Sequence, residues 1–337
     1  MLVLRGYVDL PRPRADGASD FDHSDVHHAT GRVFVAHTQA GAVEALDGPQ
    51  LRHVATIPDC PEASGILIAQ AENLVFAAAR GAGQVLVIEA STLTVRRAIA
   101  VDPRPNGLAW DPGRRRLLVA DVAANTARLI PPEGDTLAVT SLPGRPRWCV
   151  YDAAHDRFLV NIREPACALA LAADTGEAVA EWPIASAGPH GLDLDPVSGR
   201  AFVACDGGMV VALDLATGRE LARVAIPGAP DAIWYNAPRE RLYVAIGDPG
   251  VIAIVNMRAM TVDEEVRTEV GAHTTAFDDA RQRLYVFLPT SCRAAVYEEY
   301  DEPDVVSSRR TEDQSDRRAV TQWEEEGGAS ATREEAC

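Results

Sequence analysis

A short pattern recurs seven times along the chain at intervals of about 42 residues, and this repeat constrains the fold more than any other feature. Each copy begins with a turn that ends in Pro or Gly, followed by a polar residue and an alternating apolar strand. An Asp-rich turn with an Arg then leads into a second strand. Clear copies span residues 105–121 and 189–205. A repeat of this length with several short strands per unit is typical of a β-propeller.

Seven repeats predict an all-β fold, a seven-bladed β-propeller of four-stranded antiparallel blades, over residues 1–300. The last repeat has no convincing fourth strand of its own after Tyr297. The N-terminal segment, residues 2–10, resembles the outer strands of the other repeats. We therefore predict that this segment completes the last blade and closes the ring.

Residues 301–337 differ from the repeats in composition. They carry eleven acidic and five basic residues and little apolar periodicity. Such a segment cannot bury enough apolar surface to offset its ordering entropy, so we predict an acidic, disordered tail. The alternative is a peptide that docks on a partner through Trp323.

Composition excludes several function classes. The formal net charge is −17, which disfavours non-specific binding to nucleic acid. All 32 basic residues are arginine, so Schiff-base and P-loop lysine chemistry are excluded. The six cysteines form no CxxC pair. No apolar segment is long enough to span a bilayer, and the N-terminus lacks the apolar run of a signal peptide, so we expect a cytoplasmic protein without membrane contact.

Residues 21–37, 211–221 and 241–245 resemble the YncE-like family, also called YVTN-repeat propellers. The resemblance covers nearly the whole chain to about residue 300. It implies a seven-bladed propeller, and it says little about function because the shared residues are mostly turn and core positions. Some members of the family bind ligands rather than catalyse reactions, and many are exported, whereas this sequence shows no export signal.

A local resemblance links residues 105–110 to the gluconolactonase/SMP-30 propellers, in which the matching Asn coordinates a divalent metal. Only Asn106 carries over, and the Glu ligand of that family has no clear counterpart here. That family also has six blades. A third analogy, at the level of architecture only, is the virginiamycin B lyase type, which uses Mg and a His base.

One residue near the start of each inner strand varies between repeats, and these positions converge at one mouth of the central channel. The aligned residues are Asp22, Ala63, Asn106, Arg147, His190, Asp231 and His273, with His23 and Glu62 adjacent. The loops after the second strands reach the same face and predict a second layer made of His37, Arg80, Asp121, Arg163, Asp206 and Asp248. Apart from Ala63, the variable positions are polar.

Three functions fit this arrangement. The leading one is binding of a small, anionic molecule, with these ligand-binding residues: Asp22, His23, Glu62, Asn106 and Arg147. The second is a metal-dependent hydrolase or lyase, lactonase-like, in which Ca, Mg or Zn is held by Asn106, His190, Asp231 and His273. Its catalytic residues would be His190 or His273 as base and Arg147 as the carboxylate anchor. The third is a protein-interaction scaffold.

No nucleotide-binding motif is present, so we expect no nucleotide cofactor and no nucleic-acid partner. A purely structural role is the remaining alternative, in which the polar side chains of the mouth only hydrogen-bond neighbouring blades and channel water. The arginines that open the second strands are predicted to form salt bridges that stabilise the preceding turn.

Overall fold

A computed structural model describes residues 1–13, 19–101 and 103–300. The predicted tail, residues 301–337, lies outside the described residues. Contacts divide the chain into a main unit, Leu4–Glu298, and a small unit that contains Met1–Val3 and Glu299–Tyr300. Within the small unit, the backbone N–H of Tyr300 donates to the carbonyl of Met1. The account below concerns the main unit, which forms the propeller.

The described residues form seven four-stranded antiparallel sheets. The N-terminal strand is β1 (Leu2–Asp9). Blades 1 to 3 are β2 (Phe21–His27), β3 (Arg32–His37), β4 (Ala42–Asp47), β5 (Arg52–Ile57); β6 (Ala63–Ala69), β7 (Leu74–Ala79), β8 (Gln84–Glu89), β9 (Val95–Ala100); and β10 (Pro105–Asp111), β11 (Arg116–Asp121), β12 (Thr126–Ile130), β13 (Ala138–Ser141).

Blades 4 to 6 follow the same order from the inner to the outer strand. They are β14 (Pro146–Asp152), β15 (Arg157–Ile162), β16 (Cys167–Ala172), β17 (Ala178–Pro183); β18 (Pro189–Asp195), β19 (Arg200–Cys205), β20 (Met209–Asp214), β21 (Glu220–Ala225); and β22 (Pro230–Asn236), β23 (Arg241–Ile246), β24 (Val251–Asn256), β25 (Thr261–Arg267). Blade 7 is β26 (Thr274–Asp278), β27 (Arg283–Leu288), β28 (Arg293–Glu299) and β1.

The ring closes as the sequence predicts. Strand β1 pairs with β28 as the outermost strand of blade 7, so the first and last strands of the described residues share one sheet. Each inner strand contacts the next inner strand, and β26 of blade 7 contacts β2 of blade 1. The prediction of an all-β, seven-bladed propeller completed by the N-terminal strand is confirmed.

The apolar core lies between neighbouring blades. The second strands are almost entirely buried because the chain places apolar residues on both of their faces. The largest fully buried side chains include Phe34, Phe76, Phe202, Tyr243 and Tyr285, which occupy the same position in their repeats. Burying an aromatic side chain of this size stabilises the fold by about 1.5–3 kcal/mol.

The outer strands differ from the second strands in their burial. Strand β25 alternates between exposed and half-buried residues over its whole length, which is typical of a strand with one face in water. The described residues also contain three short 3-10 helices: Thr38–Ala40, Arg80–Ala82 and Ala237–Arg239. In the part of the chain that the structure describes, no helix is long and apolar enough to cross a membrane. The cytoplasmic location stays a prediction.

The repeated arginines link each blade to the next one. Arg32 donates to the carbonyl oxygen of Ala90 at 2.7 Å, and Arg200 donates to that of Met257 at 2.8 Å. In both pairs the acceptor lies in the following blade, at the end of its third strand. The same link joins Arg116 to Ala173 and Asp174, Arg157 to Leu215, and Arg283 to Gly48 across the closure of the ring.

The sequence predicts that these arginines form salt bridges with acidic residues of the preceding turn. This prediction covers only part of their contacts. Arg157 binds Asp152 and Arg200 binds Asp195, both at the preceding turn. The blade-to-blade hydrogen bonds could not be seen in the sequence because their acceptors are backbone carbonyls about 57 residues further along the chain. These hydrogen bonds lie at the end of the channel opposite the predicted mouth.

Candidate functional site

A backbone irregularity places one side chain per blade at the channel mouth. In blades 1 to 6 the ladder between the first two strands shifts register just after the first residue of the inner strand, as between Pro189 and Leu192. A bulge of this kind leaves one residue without a partner and redirects its side chain. The residues at this position, here called the polar ring, are Asp22, Ser64, Asn106, Arg147, His190, Asp231 and His273.

The alignment of blade 2 in the sequence analysis is wrong by one residue. The ladder aligns Ala63 with Phe21, so Ser64 is the counterpart of Asp22. Ser64 is fully buried, and its hydroxyl donates to the carbonyl of Pro105 at 3.0 Å. Every member of the polar ring is therefore polar.

The residue after the polar ring is small in most blades. A Cβ atom at Gly65, Gly107 or Gly191 would overlap the carbonyl oxygen of the polar-ring residue in the next blade. The glycine therefore allows neighbouring inner strands to approach closely. Only blades 1 and 4 carry a ring at this position, His23 and Trp148.

A chain of charged and ionisable side chains runs across three blades at the mouth. His190 Nδ1 lies 2.9 Å from Asp206 Oδ1, and His190 Nε2 lies 3.2 Å from Asp231 Oδ1. His273 Nε2 lies 3.8 Å from the other oxygen of Asp231. The carboxylate of Asp231 therefore stands between two imidazoles, and Asp206 holds the first of them in place.

The pKa of His273 is shifted by several charged neighbours. Its Nδ1 donates to the carbonyl of Gly271 at 2.7 Å. Burial acts to lower the pKa of His273, but the charges of Asp231, Asp22 and Asp20, together with the hydrogen bond to Gly271, raise it above its usual value. Its side chain remains 32% exposed, so a ligand that enters the mouth can reach the imidazole.

Asp22 is held by two partners. His23 Nδ1 donates to Asp22 Oδ1 at 2.6 Å, and Arg80 pairs with the other carboxylate oxygen. Burial alone would raise the pKa of Asp22, yet His23 and Arg80 lower it on balance. Asp22 is therefore an ionised carboxylate with its charge already neutralised by protein groups.

Arg147 differs from the other arginines of the mouth. Arg80, Arg104 and Arg163 each pair with a carboxylate, those of Asp22, Glu62 and Asp206. Arg147 forms no ion pair or hydrogen bond with the described residues, and its Nε atom is buried without a partner. Burial and the nearby positive charge of Arg145 lower the pKa of Arg147 from its usual value, although the charges of Asp231 and Asp206 act to raise it. A half-buried guanidinium without a paired carboxylate is a binding group for an anion.

The remaining predicted ligand-binding residues take lesser positions. Glu62 lies half exposed at the rim and pairs with Arg104 at 2.6 Å. Asn106 is buried in the polar ring, 6% exposed. Both lie at the predicted mouth, and their roles stay predictions.

The predicted second layer is placed only in part. Arg80, Arg163 and Asp206 reach the polar ring through the contacts above. Asp121 instead accepts backbone N–H groups, those of Ala123 and Ala124 in its own loop and that of Arg104 just before β10. His37 is wrongly predicted: it is fully buried inside blade 1, where its Nδ1 meets Glu44 Oε1 at 3.0 Å. Its ring also stacks on Phe21.

Below the polar ring, two rings meet across the channel. His23 of blade 1 stacks on Trp148 of blade 4, with ring centroids 4.1 Å apart and an angle of 25° between the planes. Blades 1 and 4 lie on nearly opposite sides of a ring of seven. The stack therefore crosses the channel directly beneath the polar ring.

On the far side of this stack lies a cavity of about 470 Å³, here called the channel cavity. Among the described residues that line it are His23 and Trp148, and none belongs to the polar ring. Its other functional side chains are Asp25, Glu72, Trp110, Asp193 and Trp234. The sequence analysis did not single out these residues as a site, although Asp25 and Asp193 are the only acidic residues at their repeat position.

The five cysteines in the described part of the chain are free and buried, and one of them, Cys149, lines the channel cavity. Burial raises the pKa of Cys205 to about 11, which keeps its thiol protonated at neutral pH.

Within the described residues, no group of three or more His, Cys, Asp or Glu side chains has the geometry of a metal site. The donor set predicted for a divalent cation also has competing partners, because both ring nitrogens of His190 face carboxylates. The metal stays a prediction.

The fold and the ring together define a seven-bladed β-propeller with a polar channel mouth. No protein-family model matches the sequence, and no curated protein matches it either. Among solved structures, the chain is similar to one in the crystal structure of a mitotic checkpoint complex, with a TM-score of 0.75. The match covers 88% of this chain and 92% of that chain at 11% sequence identity, so it supports the fold alone.

Proposed function

We propose that the polar ring binds a small anionic molecule at the channel mouth. The observation that carries this proposal is the half-buried side chain of Arg147, which has no paired carboxylate among the described residues, whereas three other arginines of the mouth do. A planar guanidinium pairs with a carboxylate or phosphate through two parallel hydrogen bonds. The pKa of His273 is raised by Asp231, Asp22 and Asp20, which favours the protonated form of its imidazole in the same ring.

Titration of the protein with inorganic phosphate, acetate and citrate, followed by calorimetry, tests this function. We expect Arg147→Met to abolish binding of the best anion and Arg147→Lys to weaken it by about tenfold, because lysine keeps the charge and loses the planar fork. Arg223→Met is the matched control, since Arg223 pairs with Glu220 on an outer strand. Equal affinity of the Arg147→Met variant and the control would overturn the proposal.

The second candidate is a metal-dependent hydrolase or lyase. It is favoured by the row of side-chain contacts that runs from Asp206 through His190 and Asp231 to His273. Asp206 orients His190 through Nδ1, as is usual for an acid–base catalyst, and His190 Nε2 lies 3.2 Å from Asp231, which would have to move aside for Nε2 to act as a base. A bound divalent cation would supply Lewis-acid activation of a lactone or of water. Lactone hydrolysis measured with added Mg, Ca or Zn and with a chelator tests it. A rate that is the same in His190→Gln and in the parent protein would overturn it.

The third candidate is a protein-interaction scaffold. The similar solved chain belongs to a protein complex, which supports a protein partner only by analogy of fold. The resemblance to YncE-like propellers also stays a proposal, since the repeats support it and no family model matches. Analytical ultracentrifugation with a candidate partner would test the scaffold, and the absence of a shared boundary would contradict it for that partner.

A further inference from the structure

The channel cavity has the dimensions of a site for a small molecule. Its volume of about 470 Å³ lies within the range of about 300–1,000 Å³ that is usual for ligand pockets. The inner strands of opposite blades form most of its walls, and turn residues such as Glu72 and Pro112 complete them. A cavity of this kind needs no rearrangement to hold a ligand.

Tryptophan side chains form a large part of the lining of this cavity. Three of the five tryptophans in the chain line it: Trp110, Trp148 and Trp234. The faces of tryptophan rings attract cations within about 6 Å. His23 Nε2 is buried without a partner there, and the side chain of His23 is more than nine-tenths buried. Because His23 Nδ1 donates to Asp22, Nε2 of the neutral imidazole is an acceptor that an ammonium group can use.

The carboxylates in the lining of the cavity have no arginine among the described lining residues to balance them. Asp25, Asp193 and Glu72 line the cavity, and no arginine is found among the described lining residues although the chain has 32. Glu72 Oε2 is buried without a hydrogen-bond partner. This is the reverse of the channel mouth, where each carboxylate described above has an arginine or histidine beside it.

Asp25 and Asp193 face the cavity from opposite sides, blades 1 and 5, and keep accepting capacity. Asp25 accepts the backbone N–H groups of Val26 and Ile68, and Asp193 those of Leu194 and Tyr235. A carboxylate has about four lone-pair sites, so each retains free acceptors. Burial raises the pKa of both carboxyls to about 6, which shows that their negative charge is poorly compensated within the protein.

We propose that the channel cavity binds an organic cation with an apolar or aromatic body, held by Asp25, Asp193 and the tryptophan faces. The site differs from the polar ring in position and in the sign of its charge, so it does not depend on the function proposed for the mouth. Its ligand class is an amine or quaternary ammonium compound small enough for the cavity.

The test uses benzyltrimethylammonium as the probe and neopentylbenzene, its uncharged carbon isostere, as the comparison, with binding followed by tryptophan fluorescence and calorimetry at pH 7.5. We expect the cation to bind at least tenfold more tightly than the isostere. We expect Asp193→Asn to weaken binding of the cation by about tenfold and to leave that of the isostere unchanged.

Asp174→Asn is the control, because Asp174 is exposed and lies outside the cavity. Arg147→Met should leave binding of the cation unchanged, which separates this site from the mouth. Equal affinity of the parent protein for cation and isostere would overturn the proposal. That comparison requires no substitution, so it remains decisive if Asp193→Asn fails to fold.

Discussion

The two ends of the channel are built by the same seven inner strands, yet they carry opposite chemistry. At the mouth, the bulged position holds Arg147, His190 and His273 beside paired carboxylates. Three residues further along the same strands, Asp25 and Asp193 stand among tryptophans without a basic partner. The stack of His23 on Trp148 lies between the two ends. The comparison shows that the repeat fixes positions, while the residue at each position fixes the charge.

The largest expected effect comes from removing the ring that lies between the two ends. We expect Trp148→Ala to lower the free energy of unfolding by about 3 kcal/mol, because it leaves a void beside His23. Trp148→Phe should lose less than half as much, since it keeps an aromatic ring on His23. Urea denaturation of both variants measures the difference. Equal losses in the two variants would show that the stack itself contributes little.

The next effect is on the pH dependence of the free energy of unfolding, through a carboxyl group that lines the channel cavity. Burial raises the folded-state pKa of Asp193 from 3.8 to about 6, so this carboxyl favours folding most below pH 4 and loses that contribution as the pH rises through 6. Asp195 adds repulsion, and the N–H groups of Leu194 and Tyr235 oppose the shift. Relative to the parent protein, Asp193→Asn should therefore gain about 2 kcal/mol between pH 4 and pH 7.

Denaturation curves at pH 4, 5, 6 and 7 provide the measurement, and Asp174→Asn provides the control with a constant difference. A constant difference for Asp193→Asn as well would show that the two ends of the channel do not differ in the way their carboxyls are compensated.

The smallest expected effect is on the stability of two arginine variants, one at each end of the channel. Arg200 at the far end donates to Met257 of the next blade and pairs with Asp195, so Arg200→Met should cost about 1–2 kcal/mol of stability. Arg147 at the mouth has no such partner among the described residues, so Arg147→Met should be neutral or slightly stabilising. Thermal denaturation of the two variants side by side measures this. A loss for Arg147→Met as large as that for Arg200→Met would assign Arg147 a structural role.

The sequence predicts the fold well because the repeat is a backbone property. The alternating strands and the turns between them define seven units, and the N-terminal segment matches an outer strand, which β1 confirms by pairing with β28. The site is predicted less completely. In blade 2 the repeat alignment selected Ala63 where the structure has Ser64, an error of one residue. The cause is that a bulge changes the register without leaving a clear signal in an apolar strand.

Other contacts of the site depend on distances that the repeat does not encode. His37 is the last residue of β3 and the counterpart of Ala79, not of Arg80, and it turns into the blade toward Glu44. The stack of His23 on Trp148 joins residues 125 positions apart, and the only signal in the sequence is a large ring at a position where three other repeats have glycine. That departure would have identified both residues.

The sequence by itself determined the number of blades, the strand that completes the ring and, in six of the seven repeats, the position that belongs to the polar ring, because these follow from local periodicity. Only the tertiary structure decided which of these side chains neutralise one another. Closing seven strands around one axis brings Asp231 between two histidines, leaves Arg147 without a described partner and sets Asp25 and Asp193 on opposite walls. Charge compensation depends on distances across the ring, and those distances exist only once the ring has closed.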